Sequence, residues 1–451
     1  MSEQRPKPGQ PREYHFPKFE ITTLANGIKV VIAPVKKLPV VTVLAVIDTS
    51  AVADPAGKEG LAELTAQALR DGTAEIDGTN LVLEFERLGT SLEAGADWDS
   101  TVASMTVLRD KLDKAFRLFS DVIVSPAFRA EDINRLRSER LAERLQILDE
   151  PRGLAEESFS RFLYAEGSRF AEPMSGSSES ITAIGRDDVA QFHALNYSPD
   201  ATTIIIAGDL SVDEGVELVQ GTLGEWTGKK PARSTAADKQ QRAATSSQIV
   251  SKADAAQAEL RIGHVGVPRS HPDYFSIVVM NAVLGGLFSS RINLNLREAH
   301  GYTYGASSYF DWRRQAGPFV ISTAVQTEVT GNAITETLKE IDRMRAEEID
   351  QSELSLATSY LEGVFPIRYE TTAAIAAALA NMITFGLPED YYDTYRSKIS
   401  SVTTGDVLNA AKTYVDPSRL QIVVVGDVAT LKPQIEALQA GEMSVLENVK
   451  P

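Results

Sequence analysis

Residues 197–209 read YSPDATTIIIAGD, and residues 414–427 repeat the pattern as YVDPSRLQIVVVGD. Five positions return at one offset of 218 residues, namely Asp188, Val189, Pro199, Gly208 and Asp209. A constant offset across two elements predicts two copies of one domain. A unit of about 210 residues is far longer than a solenoid repeat, so we do not expect a repeat array.

Strands and helices follow one another in mixed order within each copy. The β-branched runs KVVIAP and VVTVLAVI, within residues 28–48, predict buried strands. The apolar spacing of residues 112–123 predicts a helix with one buried face. Because strands and helices do not alternate strictly, we expect the α+β class.

The segment 227–248, TGKKPARSTAADKQQRAATSSQ, separates the two copies. It is polar and nearly free of large apolar residues, so it cannot form a core and is predicted to be an exposed linker. We therefore expect an N-terminal domain at residues 17–226 and a C-terminal domain at residues 249–440.

Composition excludes several classes of function. The 451 residues include 45 Lys and Arg against 62 Asp and Glu, which gives a net charge of −17. This balance argues against binding to nucleic acids or anionic membranes, because both need basic surface. Cysteine is absent, which removes disulfides, thiolate nucleophiles and cysteine-ligated zinc.

No uninterrupted apolar stretch approaches the length of about 18 residues that a bilayer requires, so we expect no membrane span. The opening residues, MSEQRPKPGQPREYHF, lack the hydrophobic core of a signal peptide. We expect a soluble protein of the bacterial cytoplasm, or a periplasmic protein whose leader is not part of this sequence; the sequence does not decide between them.

The histidines do not form a recognisable metal motif. There are five, and no two are closer than seven residues: His15, His193, His264, His271 and His300. A helical HExxH or HxxEH zinc motif is therefore impossible. The sequence also lacks a GxSxG elbow, a Walker loop and a GxGxxG motif, so general motifs indicate no catalytic centre.

The duplicated architecture, the opening strand ANGIKVVI at residues 25–32 and several local motifs resemble the M16 family of zinc peptidases. This family includes the pitrilysin and insulinase type and the mitochondrial processing peptidases. The resemblance extends over residues 19–439. It implies two homologous M16-type domains, similar to LuxS and related metallohydrolases, that together form one half of a clamshell.

The catalytic motif of that family is degenerate in this chain. Residues 60–73, GLAELTAQALRDGT, align with the GLAHxxEHxxxxGT segment of active members. The resemblance places Glu63 and Gln67 at the two histidine ligands, Ala66 at the general base and Glu143, eight residues before Pro151, at the third ligand. Zinc prefers histidine or thiolate donors, and alanine cannot accept a proton. We expect solvated polar residues here, or alternatively an adventitious hard-cation site.

A second motif is retained. Residues 281–291, NAVLGGLFSSR, and 296–304, LREAHGYTY, resemble the family's NxxLGGxxxSRLxxxLRExxGLxY segment. In the family, the residues corresponding to Arg297 and Tyr304 contact the substrate backbone and the oxyanion at a zinc site of the opposite half. We expect Gly301 to end the helix that carries Arg297, and Tyr304 to begin the next strand. A guanidinium and a phenol on these converging elements suit a developing negative oxygen. Alternatively, Arg297 pairs with a nearby acid and Tyr304 packs under the sheet.

Two further features accompany these motifs. The pair Gly285-Gly286 lies in an apolar helical pattern, where it indicates a close backbone approach, a flexible substrate-facing loop or a simple bend. Residues 89–99 match the family's edge strand, which pairs with peptide substrate in active members.

The resemblance implies a zinc-less, non-catalytic subunit of a heterodimeric M16 metalloendopeptidase that acts on peptides. A histidine-bearing M16 partner would supply the zinc, and this chain would hold no cofactor. A structural homologue without a peptidase role is the first alternative, which the retained Arg297 and Tyr304 disfavour. A metallopeptidase with remodelled ligands is the second, which Ala66 disfavours.

Overall fold

The structure, a computed structural model, describes residues 13–447 except residues 237 and 254. Its strands are β1 (Glu20–Thr23), β2 (Lys29–Pro34), β3 (Val40–Ile47), β4 (Glu93–Ala96), β5 (Thr101–Leu108), β6 (Thr202–Gly208), β7 (Ser246–Ser251), β8 (Ala258–Val265), β9 (Ala306–Phe310), β10 (Pro318–Val325), β11 (Gln421–Gly426) and β12 (Glu442–Leu446).

Its α-helices are α1 (Leu61–Ala68), α2 (Gly78–Arg87), α3 (Leu112–Val124), α4 (Ala130–Asp149), α5 (Pro151–Leu163), α6 (Ser178–Ala183), α7 (Arg186–Asn196), α8 (Val212–Leu223), α9 (Tyr274–Asn281), α10 (Arg291–Asn293), α11 (Thr330–Ala346), α12 (Gln351–Arg368), α13 (Thr372–Phe385), α14 (Tyr391–Ser400), α15 (Thr404–Tyr414) and α16 (Val428–Ala437). Two π-helical segments, Ala282–Gly286 and Leu294–Ala299, flank α10.

Two six-stranded sheets share one topology in five of their six strands. Their orders are β1-β2-β6-β3-β5-β4 and β12-β7-β11-β8-β10-β9. In both, the second and third strands of this order are parallel, and the pairs from there to the last strand are antiparallel. The prediction of two homologous α+β units is confirmed. The first strand of each order is not part of the repeat, because β1 is antiparallel to its neighbour and β12 is parallel.

The repeated sequence forms a central strand of each sheet. Pro199 and Pro417 begin short 3₁₀ turns that lead into β6 and β11. Gly208 ends β6 at φ +154°, and a Cβ at this position would lie 2.4 Å from the carbonyl oxygen of Val40. The glycine is therefore required by the close approach of β3.

Each sheet is covered on one face by a helix from the other half of the chain. Helix α5 packs against β8 and β11, and α13 packs against β3 and β6. Phe159 of α5 shares a buried cluster with Val423, and Leu379 of α13 shares one with Leu44. Sequence analysis did not predict this exchange, because apolar patterning shows that a helix face is buried but not against which sheet.

The segment between the halves lies across their junction. Lys230 and Arg233 both bind the carboxylate of Asp48, and the N–H of Ala236 donates to Oε1 of Gln315 at 2.6 Å. The last three residues of the expected linker, 246–248, belong to β7, where they pair in parallel with β11. Backbone pairing, which composition does not report, brings them into the sheet.

One helical run, Tyr274–Ala299, is apolar and long enough to cross a membrane by length and composition alone. Within the described residues, 56% of its apolar window is buried inside the protein, as is usual for a core helix. Within this run, α9 packs against α15, and the segment Ala282–Gly286 packs against β9.

Candidate functional site

Helix α1 carries the degenerate motif and is held at its N-terminus by Asp54. Its carboxylate accepts hydrogen bonds from the N–H groups of Gly60 at 2.8 Å and Ala62 at 2.7 Å. Arg169 donates to the same carboxylate at 3.0 Å. Burial raises the pKa of Asp54 to about 6, against the opposing effect of Arg169. The start of α1 is thus held in place, although the positions that align with the family's zinc ligands carry other residues.

The former ligand positions converge on a guanidinium that sequence analysis did not single out. From α4, Arg140 donates through Nε to Oε1 of Gln67 and through Nη1 to Oε2 of Glu143, both at 3.0 Å. Its Nη2 donates to the carboxylate of Glu63. We call these four side chains the Arg140 cluster. The structure therefore brings Glu63, Gln67 and Glu143 together around Arg140.

These residues do not fit zinc. The lone pairs of Glu63 and Gln67 that face the centre of the cluster accept hydrogen bonds from a cation, and Ala66 is buried and has no polar side-chain atom. Among the described residues, no group of three or more His, Asp or Glu could hold a metal ion. The expectation of solvated side chains is wrong for Glu63, which is only 16% exposed, because Arg140 covers it.

The retained motif is presented at a helix end. The segment Leu294–Ala299 carries Arg297, and Gly301 ends the helix at φ +66°. The N–H of Tyr302 donates to the carbonyl of Leu296 at 2.8 Å, a bond one residue wider than that of a Schellman cap because the segment is π-helical. This termination is as predicted. Tyr304 does not begin the next strand, however, since β9 starts at Ala306.

Arg297 and Tyr304 both reach the surface. The Tyr304 side chain is 90% exposed, so the alternative that it packs under the sheet is wrong. The Arg297 guanidinium lies 4.5 Å from the ring centre of Phe288, which is itself 70% exposed. The nearest acid to Arg297 is its neighbour Glu298, with Nε and Oε1 separated by 3.5 Å. Arg297, whose side chain is 35% exposed, thus stacks on Phe288 and faces the nearby acid that the alternative predicted, whereas Tyr304 is open to solvent.

The segment that carries these side chains rests on a rigid support. Arg291 makes a bidentate ion pair with Glu353, with both hydrogen bonds at 2.7 Å. Asn293 donates to the carbonyl of Phe288 at 2.6 Å and accepts from the N–H of Ala306 at 3.0 Å. Buried, bidentate hydrogen bonds of this kind fix geometry, so the loop that carries Phe288 is tied to both α10 and β9.

Gly285 is explained by a close backbone approach. A Cβ at this position would lie 2.6 Å from the backbone nitrogen of Ser308 in β9. Asn281 joins the same contact, since its side chain donates to the Ser308 carbonyl at 2.9 Å and accepts from the Ser308 hydroxyl at 2.7 Å. Of the three explanations offered by the sequence, the structure supports this one.

Strand β4 lies at the free edge of the first sheet, as the matched segment 89–99 predicts. A groove of about 790 Å³ runs beside it, between residues 89–93 and the start of α13. Small side chains such as Thr106 and Ala373 line much of this groove.

Comparison with known proteins assigns the family. Residues 29–172 match the model described as insulinase (peptidase family M16), and residues 183–361 match the peptidase M16 inactive domain. The chain belongs to the peptidase M16 family.

Relatives of this M16 chain differ in their names. A non-peptidase homolog, YmxG, of Helicobacter pylori is 24% identical over 374 residues, 82% of this chain and 84% of the relative. An uncharacterized zinc protease, YmxG, of Bacillus subtilis is 23% identical over 353 residues, 78% and 84% respectively. A crystal structure of a peptidase M16 inactive domain from Pseudomonas fluorescens superposes with a TM-score of 0.85 and 26% identity, covering 91% of this chain and 98% of that chain. Similarity to inactive-type members fits a non-catalytic role.

Proposed function

We propose that this chain is the zinc-less subunit of a two-chain M16 metalloendopeptidase. A histidine-bearing M16 chain would hold the zinc, and this chain would contribute Arg297 and Tyr304 to substrate binding and oxyanion stabilisation. The observation that carries the proposal is the exposure of Tyr304 and the partial exposure, 35%, of Arg297 on a braced segment. The chain's own catalytic positions are occupied by the Arg140 cluster.

The chemistry of these side chains suits this role. A guanidinium and a phenolic hydroxyl are donors that can be aimed at a developing negative oxygen. Stacking on Phe288 restricts the guanidinium without using its N–H groups. Within the described residues, Tyr304 makes no side-chain hydrogen bond, so its hydroxyl is available to a ligand. A purely structural homologue would gain nothing from this arrangement.

The proposal is tested by mixing the purified chain with a histidine-bearing M16 chain of the same organism. Light scattering should show a stable heterodimer. A structure of this complex should show a buried surface above about 2,000 Å², as in permanent complexes. Peptide cleavage by the mixture should exceed that of the zinc chain alone. If no complex forms and activity does not rise, the proposal is refuted.

Tyr304→Phe then tests the site within the complex. The variant removes only a hydroxyl, so assembly and melting temperature should stay at the wild-type value. Loss of one oxyanion donor typically lowers turnover by about 10²–10³. Tyr360→Phe is the matched control, because Tyr360 is also exposed but lies on α12. Equal turnover for the two variants in assembled complexes would remove Tyr304 from the mechanism.

A further inference from the structure

In the Arg140 cluster, three polar side chains surround a guanidinium as ligands would surround a metal ion. All three guanidinium nitrogens of Arg140 are used, each toward a different former ligand position: Gln67, Glu143 and Glu63. Gln67 also donates to Oε1 of Glu63, at 3.4 Å. A single positive charge therefore holds together two carboxylates and an amide from two helices.

The positive charge of Arg140 stabilises the cluster because it lies between two carboxylates. Arg140 and Glu63 are 15% and 16% exposed, so their interaction is only partly screened by water. Without the guanidinium, two carboxylates would face each other across α1 and α4. In active family members, a metal ion would meet the same need for positive charge. In this chain, Arg140 supplies the positive charge that stabilises the packing of α1 against α4.

We infer that Arg140 is the resident cation of this site and closes it to divalent metals. A metal ion entering the cluster would have to displace the guanidinium from the oxygen atoms that it needs as ligands. Until the guanidinium left, two positive groups would share one small site. Restoring the family ligands alone should therefore not restore tight zinc binding.

The test compares full-length variants for binding of zinc alone, by calorimetry and elemental analysis. The triple variant Glu63→His, Ala66→Glu, Gln67→His keeps Arg140. A quadruple variant adds Arg140→Leu. We expect zinc affinity to be about 100-fold or more higher in the quadruple variant, because like charges at contact distance repel strongly in a poorly screened site.

The matched control adds Arg135→Leu to the triple variant instead. Arg135 lies on the same helix and binds Asp71 at 2.6 Å, outside the cluster. Its removal subtracts the same charge from α4 and should leave zinc affinity at the level of the triple variant. Equal affinity in the triple and quadruple variants, or an equal gain from Arg135→Leu, would overturn the inference.

A second measurement requires neither zinc nor the triple and quadruple variants. Arg140→Leu alone should lower the urea midpoint, and adding Glu63→Gln should recover part of the loss, because the carboxylate left without its partner is neutralised. Additive effects of the two substitutions would show that Arg140 does not act as the cation of the cluster.

Discussion

Gly285→Ala should destabilise the protein, although alanine is the better helix former. In the π-helical segment Ala282–Gly286, the new Cβ would lie 2.4 Å from Oγ and 2.6 Å from the backbone nitrogen of Ser308. Real Cβ atoms do not approach so closely, and Ser308 is fixed by its pairing with Ile321. Either the helix or β9 must therefore move.

The magnitude follows from one gain and two costs. Replacing a helical glycine by alanine gains about 1 kcal/mol. Overpacking against backbone typically costs about 1–3 kcal/mol, and displacing the Ser308 hydroxyl from Asn281 costs about 1 kcal/mol more. We expect a net loss of about 1–3 kcal/mol in the free energy of unfolding.

Gly363→Ala is the matched control, because Gly363 is also helical but a Cβ there meets nothing within 4 Å. This variant should gain about 0.5–1 kcal/mol. Urea unfolding followed by circular dichroism would measure the free energy of unfolding of both variants. Equal dependence of this free energy on urea concentration would exclude changes in the unfolded state. If both variants shift the midpoint in the same direction, the close approach of Gly285 to β9 is not what selects glycine.

Two further predictions concern charge and metal. Burial raises the pKa of Asp99 to about 6 in the folded protein, so folding favours its protonated form, and stability should fall as pH rises from about 4 to 6. Asp99→Asn keeps the acceptor for the Arg314 N–H and should flatten this part of the pH profile of melting temperature; an unchanged profile would contradict the assignment. The purified chain alone should carry far less than one zinc per protomer and cleave no peptide, which elemental analysis and chelator-controlled assays would check.

Local signals in the sequence predicted local structure well. The constant offset identified the duplicated fold, and Gly301 marked the end of the helix that carries Arg297, because a left-handed cap depends on a few adjacent residues. The motif alignment also singled out Glu63, Gln67 and Glu143, which the structure places around one guanidinium; their descent from zinc ligands stays a prediction.

Features set by packing between distant segments were missed. Arg140 lies one turn before Glu143, and this i, i+3 pair was the one available signal for its position. Its bonds to α1 span 73 and 77 positions of the chain. The surroundings of Tyr304 were likewise undetermined, because the sequence pattern of a tyrosine before a strand fits both a buried ring and an exposed one.

The exchange of α5 and α13 between the sheets determines how the chain can fold and move. A fragment containing only residues 17–226 would lack α13 and leave the face of β3 and β6 open to water, and the other fragment would lack α5. The two halves should therefore unfold in one cooperative transition. Opening the junction would expose both sheet faces to water, so among the described residues we expect the two halves to stay packed together. If the chain acts as the proposed half of a clamshell, we expect opening and closing to occur between chains rather than within this one.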